Sequence, residues 1–178
     1  MKAVLPKFQK KLSPLIQVRP YAANDTEAIC TLILGIQINE FQVPITRQDQ
    51  PDLDNIPGVY RQGKGNFWVA LHENRIVGTI AAIDFGNDLL AMRKMFVHPD
   101  FRGKEYGTAQ ILLDTLLDWC AEKKVKGIFL GTLMKFIAAR KFYDRNEFEV
   151  ITKDDLPPGF PKMPLDDVFY RRVMSYEL

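Results

Sequence analysis

The run Met95-Phe-Val-His-Pro-Asp-Phe-Arg-Gly-Lys-Glu-Tyr-Gly-Thr108 concentrates residue types that can bind a charged ligand. It reads as the end of a strand, a proline, a basic turn carrying two glycines, and the start of a helix. Such a turn suits an anion. The first turn of a helix offers backbone N–H groups without internal acceptors, together with the positive end of the helix dipole. Gly103 and Gly107 let the chain close around a phosphate, and Arg102 and Lys104 add positive charge. A pyrophosphate is the natural occupant. The Gly-x-x-x-x-Gly-Lys-Ser/Thr spacing of an ATPase loop is absent, as is Gly-x-Gly-x-x-Gly, and the turn follows an antiparallel hairpin. Nucleotide hydrolysis and hydride transfer are therefore disfavoured.

The surrounding elements must hold that turn. Ile16-Gln-Val18-Arg alternates as a strand does, and Pro20 stops it. Asn24 followed by Glu27 predicts a helix cap, with Ala28, Ile29, Leu32, Ile33 and Ile36 at helical spacing after it. Residues 41–66 are a polar connection broken by Pro44, Pro51 and Pro57, expected to be functional or to contain short helices. Phe67–Leu71 and Arg75–Ile83 read as an antiparallel hairpin, and Leu89–Val97 as a further strand ended by Pro99.

From Gly107 to about Lys124, the residues Ala109, Leu112, Leu113, Leu116, Leu117 and Cys120 draw one apolar stripe. Lys123 and Lys124 suit the negative end of that helix. Ile128–Leu130 is a short buried strand, and Phe136, Ala139, Phe142 and Tyr143 mark a second late helix. Phe148–Ile151 and Val168–Met174 are two last strands, separated by a proline-rich loop. This order predicts an α/β or α+β domain of three layers, a mixed β-sheet flanked by helices.

A chain of 178 residues has the size of one domain, here an arm over 1–15 and a single domain over 16–178. With 47% hydrophobic and 26% charged residues, disorder throughout is excluded. A net charge of +2 is too small for nucleic acid to be the main partner. No apolar run approaches the roughly 18 residues that span a bilayer, so no membrane partner and a soluble, cytoplasmic chain are expected. Only Cys30 and Cys120 occur, and His72 and His98 stand apart. Neither a disulfide framework nor a metal site is expected.

Val97-His-Pro99 precedes Arg102-Gly-Lys-Glu-Tyr-Gly107-Thr108, and Ala139, Phe142-Tyr143 and Phe148 follow downstream. In these residues the chain resembles the GCN5-related N-acetyltransferase (GNAT) family. That family's signature is Arg/Gln-x-x-Gly-x-Gly/Ala after a strand ending Val-x-Pro, with a late helix commonly written Ala-x-x-x-Tyr-x-x-x-Gly-Phe. In element order the resemblance runs from Ile16 to Tyr176. It implies the acyl-CoA N-acyltransferase fold and acetyl-CoA as acyl donor, without a metal. The donor would be held by Met95, Phe96, Val97, Arg102, Gly103, Lys104, Glu105, Tyr106, Gly107 and Thr108. Three departures stand out: Glu105 and Glu147 where the family has glycine, and Phe136 where it often has asparagine. A carboxylate repels a pyrophosphate, so Glu105 is expected to point away.

The resemblance further implies direct attack of an amine on the thioester. An oxyanion donor would come from a backbone N–H near Met95 or Phe96. Tyr143 would protonate the departing thiolate. The family's frequent glutamate base falls at Ala91, leaving Glu40, Asp84 or an ordered water chain for that task. The acceptor is expected to be a small-molecule or peptide amine meeting residues 41–66 and 84–90. Phe41, Gln42, Tyr60 and Trp68 are its expected wall, and Arg47, Arg61 and Arg93 the cations available to an acceptor carboxylate. A homodimer stays open. So does a second function class, a catalytically weak acyl-CoA-binding sensor or scaffold, because of Glu105 and the missing glutamate.

Overall fold

A computed structural model describes residues 15–176, so the expected arm lies outside the described residues except for Leu15. The strands are β1 (Gln17–Pro20), β2 (Asn66–His72), β3 (Arg75–Asp84), β4 (Leu89–Val97), β5 (Gly127–Thr132), β6 (Glu149–Ile151) and β7 (Val168–Val173). The α-helices are α1 (Thr26–Leu34), α2 (Ile56–Tyr60), α3 (Thr108–Lys123) and α4 (Ile137–Arg145). One seven-stranded sheet runs β1-β2-β3-β4-β5-β7-β6. Every neighbouring pair is antiparallel except β4 and β5.

Helices cover both faces of this sheet, which makes three layers. On one face Ile29 and Ile33 of α1, with Leu53, Ile56 and Tyr60, pack on Phe67, Val69 and Ala81. On the other, Leu112, Leu113, Leu116 and Cys120 of α3 pack on Trp68, Ala70, Ile80 and Ala82. Alternate residues of β2 thus serve opposite cores, as the period of a strand requires. Cys30 and Cys120 are buried in different cores, on opposite sides of the sheet. Among the described residues no helix is long and apolar enough to cross a membrane.

The long connection does contain short helical turns, Pro51–Asp54 and α2, and Leu53, Ile56 and Tyr60 within it are essentially inaccessible. The expected cap of α1 is shifted by one residue. Asn24 falls inside a tight turn, Ala23–Asp25, and it is Asp25 that accepts the Ala22 amide at 2.8 Å. Arg19 holds that carboxylate with two hydrogen bonds of 2.6 and 2.9 Å. Beyond Leu34 the helix widens over Gly35–Glu40.

α3 starts and stops where its sequence signals place it. Gly107 precedes it at φ 63, and Lys124 follows it at φ 56, both in the left-handed region. Its first turn lies tight against β3. A Cβ at Gly78 would sit 3.0 Å from Leu112 Cδ1 and 3.3 Å from Thr108 Cγ2, so glycine there sets the distance between helix and sheet.

Candidate active site

The turn before α3 is an open row of donors. Gly103 sits at φ 90 and Gly107 at φ 63, and an added Cβ at either would meet nothing within 4 Å. Gly107 N–H closes the turn onto Gly103 O at 3.0 Å. Among the described residues no acceptor meets the amides of Gly103, Lys104, Glu105 and Tyr106, or of Thr108, Ala109 and Gln110. A helix start left in this state has the free donors and dipole that an anion requires. Side chains brace it from behind. Thr108 Oγ1 donates to Phe101 O at 2.8 Å, and the Tyr106 ring packs on Phe101 with centroids 5.0 Å apart. Glu105 is exposed and makes no hydrogen bond among the described residues.

Arg102 departs from the expectation of a free anion-binding cation. Its Nε donates to Val97 O at 2.8 Å, and its two terminal nitrogens clasp the Glu40 carboxylate, the second at 2.7 Å. This pair ties the turn to the widened end of α1. It also removes Glu40 as a base, because the Arg102 hydrogen bond holds its carboxyl below the usual carboxylate range.

Beside this turn the sheet opens. β4 and β5 pair only through Leu89–Ala91 and Gly127–Phe129, and the rest of β4 has no β5 partner. A bulge reshapes β4 there, with the register to β3 slipping between Thr79 and Ala81 and Lys94 at φ 52. Thr79 Oγ1 fixes the bulge by donating to Lys94 O at 2.6 Å. The side chains of Met95 and Phe96 pack in opposite cores, so what this stretch offers the opening is its backbone.

Tyr143 of α4 lies under the β5 side of the opening. Its ring packs 5.5 Å from Tyr170 and 5.7 Å from Phe148, and Tyr170 pairs with Leu130 of β5. Its hydroxyl makes no hydrogen bond among the described residues. Burial pushes this phenol well above the ordinary tyrosine range, with Tyr170 and Asp166 adding to the shift. It therefore stays protonated at neutral pH. Just past α4, Glu147 takes the left-handed position that ends a helix, at φ 64, where family members carry glycine.

A mixed sheet with one parallel pair that parts beside an uncapped helix start is the architecture the family resemblance anticipates. The sequence model described as "Acetyltransferase (GNAT) family" matches residues 32–148. The chain belongs to the GNAT acetyltransferase family. A GNAT-family acetyltransferase from Staphylococcus aureus Mu50 is 41% identical, with a TM-score of 0.86 over 90% of this chain and 100% of that one. N-acetylaspartate synthetase of Danio rerio is 31% identical over 132 residues, 71% of this chain and 46% of that protein. The chain thus spans about half the length of the curated relatives it matches. N-acetylglutamate synthase from Neisseria gonorrhoeae, solved with coenzyme A and N-acetyl-glutamate, shares the fold at 16% identity, with a TM-score of 0.71 over 91% of this chain and 36% of that one.

Several GNAT residues expected at the acceptor side take other places. Tyr60 and Trp68 are core residues, 0% and 3% exposed, and wall nothing. Tyr60 packs with Phe67, while Trp68 meets Trp119 edge-on at 5.6 Å. Asp84 lies at the closed end of the sheet, paired with Leu90 and accepting the Lys64 and Gly86 amides at 2.8 and 2.9 Å. The loop 85–88 is at that end too, its Phe85 packed on Phe129 and Phe160. Arg47 is committed to Glu27 and Asp54, and Arg61 to Tyr21 O and Asn66.

Phe41 packs beyond the end of β5, its ring tilted against Phe136 with centroids 4.5 Å apart. Near it a groove of about 450 Å³ runs between Val43–Pro44, Met134 and Leu165. A larger hollow of about 980 Å³ separates α1 from Arg75 and His98, yet it contains neither Tyr143 nor the amide row, so its size does not make it the reaction site.

Two polar residues of the opening, Lys94 and Asp166, escape sequence reasoning, while Arg93 is one of the three expected cations. Lys94 is only 8% exposed, with its ammonium 2.7 Å from Gln50 Oε1 and 3.2 Å from Asp52 Oδ2. Asp52 in turn accepts from Tyr60 OH at 2.5 Å. Burial lowers the Lys94 pKa and Asp52 pulls it back up. Arg93, its neighbour, has no carboxylate within 4.0 Å among the described residues, its guanidinium resting on Met163 Sδ. Asp166 lies over Gly131 of β5, so close that a Cβ there would come 2.2 Å from its Oδ2. Among the described residues no cluster of three or more His, Cys, Asp or Glu side chains is placed to hold a metal.

Proposed function

We propose that this chain transfers the acetyl group of acetyl-CoA to the amine of a small acidic amino acid by direct attack. The observation that carries the proposal is the parting of β4 from β5 beside the uncapped amides of residues 103–110. That row fits a diphosphate: its donors lack acceptors and its two glycines leave room for a ligand against the backbone. Met95, Phe96 and Val97 contribute main chain along the unpartnered stretch of β4, and Lys104 adds charge at the rim. Acetyl-CoA supplies the activated thioester. Tyr143, held in its neutral form, supplies a proton to the leaving sulfur.

Arg93 supports an acidic acceptor, because it is a half-buried guanidinium beside the opening without an acid partner. The relatives' names agree in chemistry, one making N-acetylaspartate and a structural neighbour binding N-acetyl-glutamate. Incubating the protein with acetyl-CoA and aspartate, glutamate, neutral amino acids, polyamines or a peptide, and recording free thiol, tests the reading. Turnover is expected with the acidic amino acids, and Arg93→Gln is expected to raise their KM while leaving that for acetyl-CoA unchanged. Binding of CoA without turnover on any amine would instead favour a sensor or scaffold.

Gly107→Val supplies a second check. A Cβ there meets no protein atom within 4 Å, so the main cost to folding is the left-handed backbone strain of a β-branched residue, at least about 1–2 kcal/mol. The same side chain would project over the amide row. Calorimetry is expected to show CoA affinity reduced at least tenfold; unchanged affinity would place the diphosphate elsewhere.

A further inference from the structure

We propose that Asp166 anchors the incoming ammonium in the opening between β4 and β5 and accepts its proton, opposite Arg93, which holds the acceptor's carboxylate. This rests on the acetyl-transfer reading and names the base that reading lacks. The placement follows from the register. Ala91 and Phe129 are the last residues to pair across β4 and β5. Arg93 stands on β4 just past Ala91, and Gly131 stands on β5 just past Phe129, so both flank the widening gap. Gly131 has no side chain, and the Asp166 carboxylate occupies the space one would fill.

Rival carboxylates around the opening are engaged. Glu40 is clasped by Arg102, Asp52 by Lys94 and Tyr60, and Asp167 accepts the Met134 amide at 2.6 Å. Asp166 has no ion pair and no hydrogen bond to another side chain among the described residues, the Met163 amide being the polar group that acts on it from its own loop. The groups acting on it are Arg93 from β4, Tyr143 from α4, and Asp167 with the Met163 amide from its own loop, while Tyr170 of β7 packs on Tyr143. Tyr170 Oη is buried without a hydrogen-bond partner among the described residues. Burial raises the Asp166 carboxyl to about 6, against the pull of Arg93 and the Met163 amide, so it is a base matched to neutral pH.

The chemistry balances. One N–H bond of the ammonium breaks and its proton goes to Asp166. The freed nitrogen lone pair forms the C–N bond to the thioester carbonyl carbon, and the C–S bond breaks. The leaving sulfur takes the Tyr143 proton, the tyrosinate takes the second proton from nitrogen, and Asp166 releases its proton to water. The net products are an amide, a free thiol and one proton.

Asp166→Asn keeps the shape over Gly131 and removes the base. Wild-type kcat/KM for an acidic amino acid should fall as pH drops below about 6. In the variant, kcat should fall by about 100-fold or more with that acid limb lost and KM for acetyl-CoA unchanged. Its melting temperature at pH 7.5 should equal or exceed wild type, because the native state disfavours the charged carboxylate, and the difference should vanish below pH 4. A variant that retains both rate and acid limb overturns the assignment while leaving acetyl transfer intact. A wild-type protein that binds CoA yet turns over no amine removes both together.

Discussion

Tyr143→Phe is expected to lower kcat of acetyl transfer by roughly 100- to 10,000-fold while leaving CoA affinity and fold unchanged. The substitution deletes one hydroxyl and keeps the ring that packs on Phe148 and Tyr170. Because that hydroxyl makes no hydrogen bond among the described residues, its loss strands no partner, and the thermal transition should hold. Burial keeps the resting phenol protonated across the neutral range, so wild-type activity should show no loss from tyrosine ionisation up to the ordinary tyrosine range. Steady-state thiol release, with melting curves alongside, checks the prediction. A variant with wild-type turnover would reduce Tyr143 to a packing residue.

Lys94→Met carries the largest expected effect on stability. Removing the ammonium takes the countercharge from Asp52 and leaves Gln50 Oε1 only its longer 3.3 Å bond from Gln37, in a site where the lysine is only 8% exposed. Breaking a buried pair on one side costs about 3–5 kcal/mol, and for a domain of this size the melting temperature should drop by roughly 6–20 °C. The double variant with Asp52→Asn should recover part of the loss, since it removes the stranded charge. Activity should fall further than stability explains, because Lys94 occupies the bulge that shapes the unpartnered part of β4. Thermal denaturation of the single and double variants tests this, and an unshifted transition for Lys94→Met would show that the ammonium does not hold the bulge in place.

What the sequence made legible is local. The leucine stripe of α3, the glycine before it and the lysine after it define that helix within a few residues, and Leu89–Val97 reads as the strand it forms. The anion turn is legible for the same reason, since its glycines and helix start are contiguous. Misreadings arise where a residue's role depends on partners far along the chain. Arg102 meets Glu40 across a separation of 62 residues, so neither shows in the sequence that it is occupied. Tyr60 and Trp68 are aromatic residues whose spacing fits a pocket wall or a core alike, and the two helical layers make them core. Asp166 lies in a proline-rich loop that carries no period, and only the glycine opposite it on β5 hints at a space to be filled.

The central claim is that the amides opening α3 cradle the diphosphate of acetyl-CoA. Amide-detected NMR of the isotope-labelled protein titrated with CoA measures this directly. The largest shifts are expected at Gly103, Lys104, Tyr106, Gly107, Thr108 and Ala109, saturating together. Saturable CoA binding that leaves those signals in place and moves others, or no binding at all, would contradict it.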